Sequence, residues 1–385
     1  MAWRSVDVQD QRIRFVVAAS RGEGSISGLC AEFGISRVTG HLWLKRYASG
    51  GVKAVAEQSR RPLSSPQRTA LDVEEQVAAL RRGRPDWGAR KLAVLLARDG
   101  VTLPAGTVHR ILIRRGLVRA EDRHPQAPGR FEREQPNQLW QMDFKSPKGW
   151  DQPVGPLSVL DDHSRYALTL FQTGTTRTEA VREQVQQAFQ DHGVPEAMLM
   201  DHGTPWWNPA SAGGWTQFSV WLMKQGVRVH LSGVQHPQTQ GKVERFHGSL
   251  EKARRLRGLP ELALRQSWLD DFRQDYNHNR PHEALGMQTP ASLWRPSPRL
   301  YDPDPPPWTY PEAAEIHRLE KTGQLKLQGR RWQVAGALAY EQVRLIRIEH
   351  RILIFYRNTL IRELDLALQA STMVEPCNAK PKLEL

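Results

Sequence analysis

Two short apolar runs that each stop on an aspartate constrain this chain more than any other feature. They are Leu139-Trp-Gln-Met-Asp-Phe144, which carries Asp143, and Ala197-Met-Leu-Met-Asp201. A third acidic residue, Glu244, opens an amphipathic helix that begins after Gly241, with Lys242 and Arg245 on either side of it. A carboxylate between two cations at a helix start suits a place that holds a cation and handles phosphate. Singly, each acid reads as a solvated residue at the end of an element. Jointly, two strand ends and one helix could converge on a pair of divalent metals. Asp161 and Asp162, in Asp161-Asp-His-Ser-Arg165, compete for that role, but an Asx-type turn is the expected use of that stretch.

Around these residues the apolar pattern alternates. Strand-like runs at 138–144, 156–161, 165–172, 196–201 and 228–232 are interleaved with helical runs at 177–192, 215–225 and 242–257. Three runs in succession and then strand–helix alternation predict a mixed sheet flanked by helices, its first three strands an antiparallel meander. Residues 265–295 read as helical, with Tyr276-Asn-His-Asn-Arg-Pro-His-Glu-Ala-Leu285 covering the core. A Pro-rich linker over 296–318 then separates a small region, 319–368, whose β-type runs and Arg357-Asn358 turn predict a β-barrel. Residues 369–385 read as a disordered tail.

The N-terminal part is helical. After a helix-like stretch over 9–20, Ser25–Gly34 reads as a short helix closed by glycine, and Ser36 can cap a second one, Arg37 to Tyr47. This pair makes a helix-turn-helix over 1–58, with Arg37, Thr39, His41, Lys45 and Arg46 offered to DNA. Gly40 departs from the pattern, since a glycine inside a helix costs about 1 kcal/mol relative to alanine. A linker, 59–67, carries Arg60 and Arg61, which could enter a minor groove or simply be solvated. Helical runs at 71–82, 88–98 and 104–115 form a second unit, 68–119, whose last helix presents Thr107, His109, Arg110, Arg114 and Arg115. The competing reading is one helical bundle of which a single unit touches DNA. Residues 120–137 read as a further linker.

Charge agrees with a polyanionic partner. The net charge is +13, and residues 1–135 hold 24 Lys+Arg against 14 Asp+Glu, so most of the excess precedes the three carboxylates. Two distant cysteines, Cys30 and Cys377, form neither a disulfide framework nor a zinc knuckle, which fits a reducing cytoplasm. No apolar run approaches the roughly 20 residues that span a bilayer, so no membrane partner is expected.

Phosphodiester exchange needs negative charge neutralised at both the attacking and the leaving oxygen, a task two metals about 3.5–4 Å apart perform. Magnesium prefers carboxylates. Asp143, on the first and central strand, is the candidate bridge, with Asp201 holding one ion and Glu244 the other. His202 and His247 flank the second and third acids; a DNA contact or a hydrogen bond to a ligand residue is expected of them rather than metal ligation.

Together with His236-Pro-Gln-Thr-Gln-Gly-Lys-Val-Glu-Arg-Phe246, Asp161-Asp-His-Ser-Arg165, Tyr276-Asn-His-Asn-Arg-Pro-His282 and Thr289-Pro-Ala-Ser-Leu-Trp294, the three acids resemble the catalytic core of retroviral-type integrases and bacterial insertion-sequence transposases. The resemblance spans roughly residues 9–295. It implies an RNase H-like core over 138–295, two Mg2+ or Mn2+ ions per active site, cleavage at element ends and joining of the freed 3′-hydroxyl to target DNA. It further implies Asp143, Asp201 and Glu244 as metal ligands, Lys242 and Arg245 at the DNA, and a loop containing His236, Gln238 and Gln240 beside the scissile phosphate. Double-stranded DNA, a homo-oligomer formed on it and a nucleoid-associated cytoplasmic location follow as expectations. The chain departs from the family's usual pattern in two places. His202 follows Asp201, and 42 residues separate Asp201 from Glu244, an excess supplied by the Trp-rich stretch 205–215. Trp206, Trp207 and Trp215 could stack on splayed bases or pack on the core. The alternatives are a catalytically silent DNA-binding regulator and an RNase H-like nuclease.

Overall fold

The computed structural model describes residues 8–56, 68–118, 132–208, 210–211, 213–232 and 240–376. The chain forms two compact units, Met1–Thr69 and Ala70–Leu385. In the first, α1 (Val8–Ser20), α2 (Ile26–Glu32) and α3 (Arg37–Ala54) pack around Phe15, Val16, Leu29, Cys30 and Val55. Ser25 and Ser36 cap α2 and α3 by accepting from the amides of Gly28 and Thr39, both at 3.1 Å, which satisfies donors the helices leave open. The anomalous Gly40 now has a reason. A Cβ there would stand 2.5 Å from Cys30 Sγ and 2.9 Å from Phe15 Cζ, so α3 reaches its neighbours only because that position has no side chain.

The second unit opens with α4 (Leu71–Gly83), α5 (Ala89–Arg98) and α6 (Ala105–Arg114), closed over Val77, Trp87, Leu92, Leu96, Val108 and Ile111. The mixed sheet follows. Its strands β1 (Trp140–Phe144), β2 (Leu157–Asp161) and β3 (Ala167–Phe171) form the expected antiparallel meander. Beyond α7 (Thr178–His192) comes β4 (Ala197–Met200), which pairs parallel with β1. A two-residue hairpin, β5 (Trp207–Asn208) and β6 (Gly214–Trp215), leads to α8 (Gln217–Lys224) and then β7 (Arg228–Leu231), parallel to β4. The order is β3-β2-β1-β4-β7. On one face lie α9 (Gly241–Arg257) and α10 (Arg265–Gln274), burying Phe246, Leu250, Phe272 and Tyr276. Asn277 donates to Ala167 O at 3.0 Å and accepts from Ala167 N at 2.8 Å, satisfying backbone of the edge strand β3.

The C-terminal region departs from expectation in three ways. Strand β8 (Glu315–Arg318) begins inside the stretch read as linker, and β14 (Ala370–Met373) lies in the stretch read as disordered tail. Between them run β9 (Gln324–Leu327), β10 (Arg330–Gln333), β11 (Gln342–Ile348), β12 (Arg351–Tyr356) and β13 (Thr359–Asp365). They form a two-stranded hairpin and an open five-stranded antiparallel sheet, β14-β13-β12-β11-β8, so no closed barrel is present among the described residues. The region is also not separate. Leu325, Trp332, Val343, Ile352 and Ile354 share one apolar cluster with Trp140, Met142, Phe189, Phe218 and Trp221 of the mixed sheet and its helices. The inner face of the C-terminal sheet is thus covered within that cluster, with α8 against it through Arg357 on Met223 O and Lys224 O, rather than by closing on itself.

The helices of 70–118 are fixed to the mixed-sheet half by a buried carboxylate. Asp86 accepts from Arg257 at 2.8 Å and from Arg280 at 2.7 Å. Burial pushes its carboxyl up, but the two guanidiniums outweigh that and hold it below the usual range. Close by, burial and then Arg280 drive the Lys91 amine down to about 7.

Two outcomes follow from this packing. Gly40→Ala should destabilise the first unit by about 1–3 kcal/mol through overpacking, read as an earlier transition in urea. Between pH about 7 and the unfolded lysine value near 10.4, the unfolded chain binds the proton that folded Lys91 has lost, so this residue makes stability rise with pH across that window. Lys91→Met should flatten that rise and increase Tm most at or below pH 7.

Candidate functional site

Strand alternation sorts β1 onto two faces. Trp140 and Met142 enter the core shared with the C-terminal sheet, whereas Gln141 and Asp143 face α9. Gln141 Oε1 accepts from the amide of Val243, at 3.3 Å, which seats the first turn of α9 on the central strand. In the parallel β1–β4 ladder Gln141 lies beside Leu199; carried on by two residues, that register sets Asp143 beside Asp201, just past the end of β4. Glu244 is exposed in the first turn of α9.

Asp143 feels both other acids. Asp143's carboxyl is pushed up to about 7, by burial first, then by the charge of Asp201, with Glu244 adding to it. Asp201 is held from behind: its Oδ1 accepts from the Trp206 indole at 2.7 Å and from the Gly203 amide at 2.9 Å. Among the described residues no three acidic, histidine or cysteine side chains close around one point as a finished metal cage would. The donor set nonetheless suits a hard divalent cation, being all carboxylate.

His247 stands 3.7 Å from Asp143 Oδ2, and its Nε2 meets Ser158 Oγ at 3.0 Å. Burial, then Lys145, pushes this imidazole down to about 3, so it is neutral beside the acids. His202 is drawn instead to Glu375, at 3.4 Å. Asp161 accepts from Ser164 N and Oγ at 2.7 and 2.6 Å and from Asn137 N at 2.8 Å, the turn role expected of it. Asp162 does more than the sequence suggested. It accepts from Gln141 Nε2 and Arg133 N, both at 2.8 Å, and pairs with Lys242 at 2.5 Å.

That last pair ties α9 to the β2–β3 turn through Lys242, a residue expected at the DNA. Gln240 is buried. Arg245 is exposed, as a DNA contact requires. On α6, Arg114 and Arg115 pair with the buried Glu74 at 3.2 and 3.4 Å, which ties them to α4, and Arg110 meets Thr107 at 3.1 Å. His109 is exposed. On α3, Arg37, His41 and Lys45 are exposed, Arg46 lies 4.8 Å over the Trp43 ring, and Thr39 Oγ1 is 2.8 Å from Ser36 Oγ. Arg60, Arg61, His236 and Gln238 lie outside the described residues.

The sequence reading named Trp206 but not its bond to Asp201. All three tryptophans of the insertion are buried, so none presents a stacking face to a base. Trp206 stacks on Phe144 at 5.5 Å and turns its indole N–H to Asp201. The signal was its place five residues after an aspartate that ends a strand.

Family models described as an integrase core domain match residues 133–237 and 225–290, and one described as a homeodomain-like domain matches 39–112. The uncharacterized 31.7 kDa protein of insertion element IS407 from Burkholderia multivorans is 26% identical over 235 residues, 58% of this chain and 82% of that protein. A Mycobacterium tuberculosis protein named as transposase for insertion sequence element IS986/IS6110 is 23% identical over 231 residues, 54% of this chain and 81% of that protein. Among solved structures, a simian T-cell lymphotropic virus intasome aligns with 74% of this chain and 97% of its own at 17% identity. Its TM-score of 0.36 is too low to carry the fold, which rests on the strand order above. An integrase-core match over 133–290 thus lies behind a homeodomain-like match over 39–112, and the chain is similar to proteins of insertion elements.

Proposed function

We propose that this protein cuts the ends of a mobile element and joins the freed 3′-hydroxyls to target DNA, with Asp143, Asp201 and Glu244 as the metal-holding residues. The observation that carries the reading is the crowding at Asp143, whose carboxyl is pushed to about 7 by burial, Asp201 and Glu244. Like charges are gathered there at a cost that a bound cation would reverse. Two divalent ions bound there, Mg2+ or Mn2+, would neutralise charge at the attacking and leaving oxygens of an in-line exchange. Asp143 on the central strand, with Asp201 and Glu244 beside it, would hold them. Trp206 and Gly203 fix Oδ1 of Asp201, and the other oxygen would be available to a cation. Neutral His247 adds no charge and holds the α9 side of the pocket to Ser158.

The exposed bases of α3 and the homeodomain-like match support binding of duplex DNA at the terminal repeats, with two or more copies pairing the ends. No helix of the described residues is long and apolar enough to cross a membrane, and a nucleoid-associated location in the cytoplasm accords with the DNA substrate.

Asp143→Asn and Glu244→Gln should each abolish Mg2+-dependent strand joining in an oligonucleotide assay while end binding in a gel-shift assay persists. Strand joining that survives either change overturns the assignment. Trp206→Phe keeps the ring and removes the donor to Asp201. It should raise the half-saturating Mg2+ or lower activity by about 10–100-fold, with little change in Tm.

A further inference from the structure

Asp161 closes the β2–β3 turn, its carboxylate taken up by Ser164 and by Asn137 N. Asp162, the next residue, bonds away from the turn. It is fully buried, and its two oxygens gather donors from three separate parts of the chain. Oδ1 accepts from Gln141 Nε2 at 2.8 Å, on the central strand β1. Oδ2 accepts from Arg133 N at 2.8 Å, on the segment that leads into β1, and meets Lys242 Nζ at 2.5 Å, in the first turn of α9.

The Gln141 arm continues to that same helix. A primary amide has a donor end and an acceptor end. With Nε2 held by Asp162, Oε1 is the end presented to α9, and it accepts from Val243 N at 3.3 Å. Asp162 therefore reaches α9 twice, at Lys242 by a charge pair and at Val243 through Gln141, on the two residues immediately before Glu244. Gln141 itself stands two residues before Asp143 on the same face of β1. One buried carboxylate thus ties the strand that carries Asp143 to the helix turn that carries Glu244. The turn around it is held from its other side: His163 Nδ1 lies 2.8 Å from Arg133 O, and Arg165 pairs with Glu132 at 3.2 Å.

We propose that Asp162 is a positioning residue for the metal-holding acids, fixing Glu244 against Asp143 through Lys242 and the Gln141 amide. This deepens the function proposed above and rests on it. A preorganised site needs its ligands held to about 0.5 Å. For Glu244, whose side chain is exposed, that precision comes from the backbone of its own helix turn, which Asp162 anchors. Asparagine at 162 has the same shape but one acceptor oxygen, so it cannot serve the Gln141 amide, the Arg133 N–H and the Lys242 ammonium together.

The test is Mn2+ binding by the full-length protein without DNA, read by electron paramagnetic resonance of the free ion. Asp162→Asn should weaken binding by about 10–100-fold. Asp161→Asn loosens the same turn without touching Gln141 or α9, so it should lower Tm and leave Mn2+ affinity as in the wild type. Asp162→Asn with Lys242→Met removes both charges, which leaves no ammonium buried alone should the single variant not fold; it should bind Mn2+ as weakly as Asp162→Asn. Wild-type affinity in either folded Asp162 variant overturns the proposal. So does a loss of equal size in Asp161→Asn, which would make turn integrity the whole effect. Wild-type protein that takes up no Mn2+, or whose Mn2+ binding is untouched by Asp143→Asn and Glu244→Gln, would remove the metal-holding reading itself.

Discussion

The parallel pairing of β1 with β4 is the constraint on which the site depends. Antiparallel neighbours end at opposite edges of a sheet, so a meander alone could never set two strand-end aspartates side by side. The crossover through α7 reverses the chain once more and brings Met200 and Met142 to the same edge, with Asp201 and Asp143 just beyond or at it. The third acid needs no strand. It arrives on α9, whose first turn is seated on β1 by Gln141 and on the β2–β3 turn by the pair of Lys242 with Asp162. Like charge is thereby concentrated by the backbone before any ion is considered, and the elevated Asp143 carboxyl is the electrostatic trace of it.

Periodicity made most of this fold legible. The strand runs around Asp143, Asp161 and Asp201 and the helix around Glu244 came through within a few residues, because the strands are short, almost wholly buried apolar runs and the helix buries residues at helical spacing. Sequence order also gave the meander. What it could not give is where a second apolar layer goes. The C-terminal runs alternate like barrel strands, and the pattern does not say whether the inner face closes on itself or is covered by another element. It shares one apolar cluster with Phe218 and Trp221 of α8. The same ambiguity hid the role of Trp206, since a buried indole and a base-stacking indole have the same sequence.

Side-chain partners were the least legible layer. A basic residue on a helix reads as a phosphate contact whenever its counter-charge is far away in sequence, and in this chain several counter-charges are. Arg114 and Arg115 find Glu74 some forty residues back, Arg257 and Arg280 find Asp86, and Lys242 finds Asp162. Each of these acids is fully or nearly fully buried, so removing it would strand a guanidinium or ammonium in a poorly solvated place.

Those pairs redistribute the meaning of the +13 charge. Part of the positive surplus is structural, fastening the 70–118 helices to the catalytic half, and only the remainder faces outward. Along α9 the two uses alternate: Lys242 and Arg257 are bonded inward at its two ends, while Arg245, between them, is exposed. A helix pinned at both ends in this way has its middle face held still, and that face adjoins Glu244. Orientation of a polyanion beside the carboxylates then requires no movement of the helix, only an ion to offset the repulsion between the acids and the phosphate.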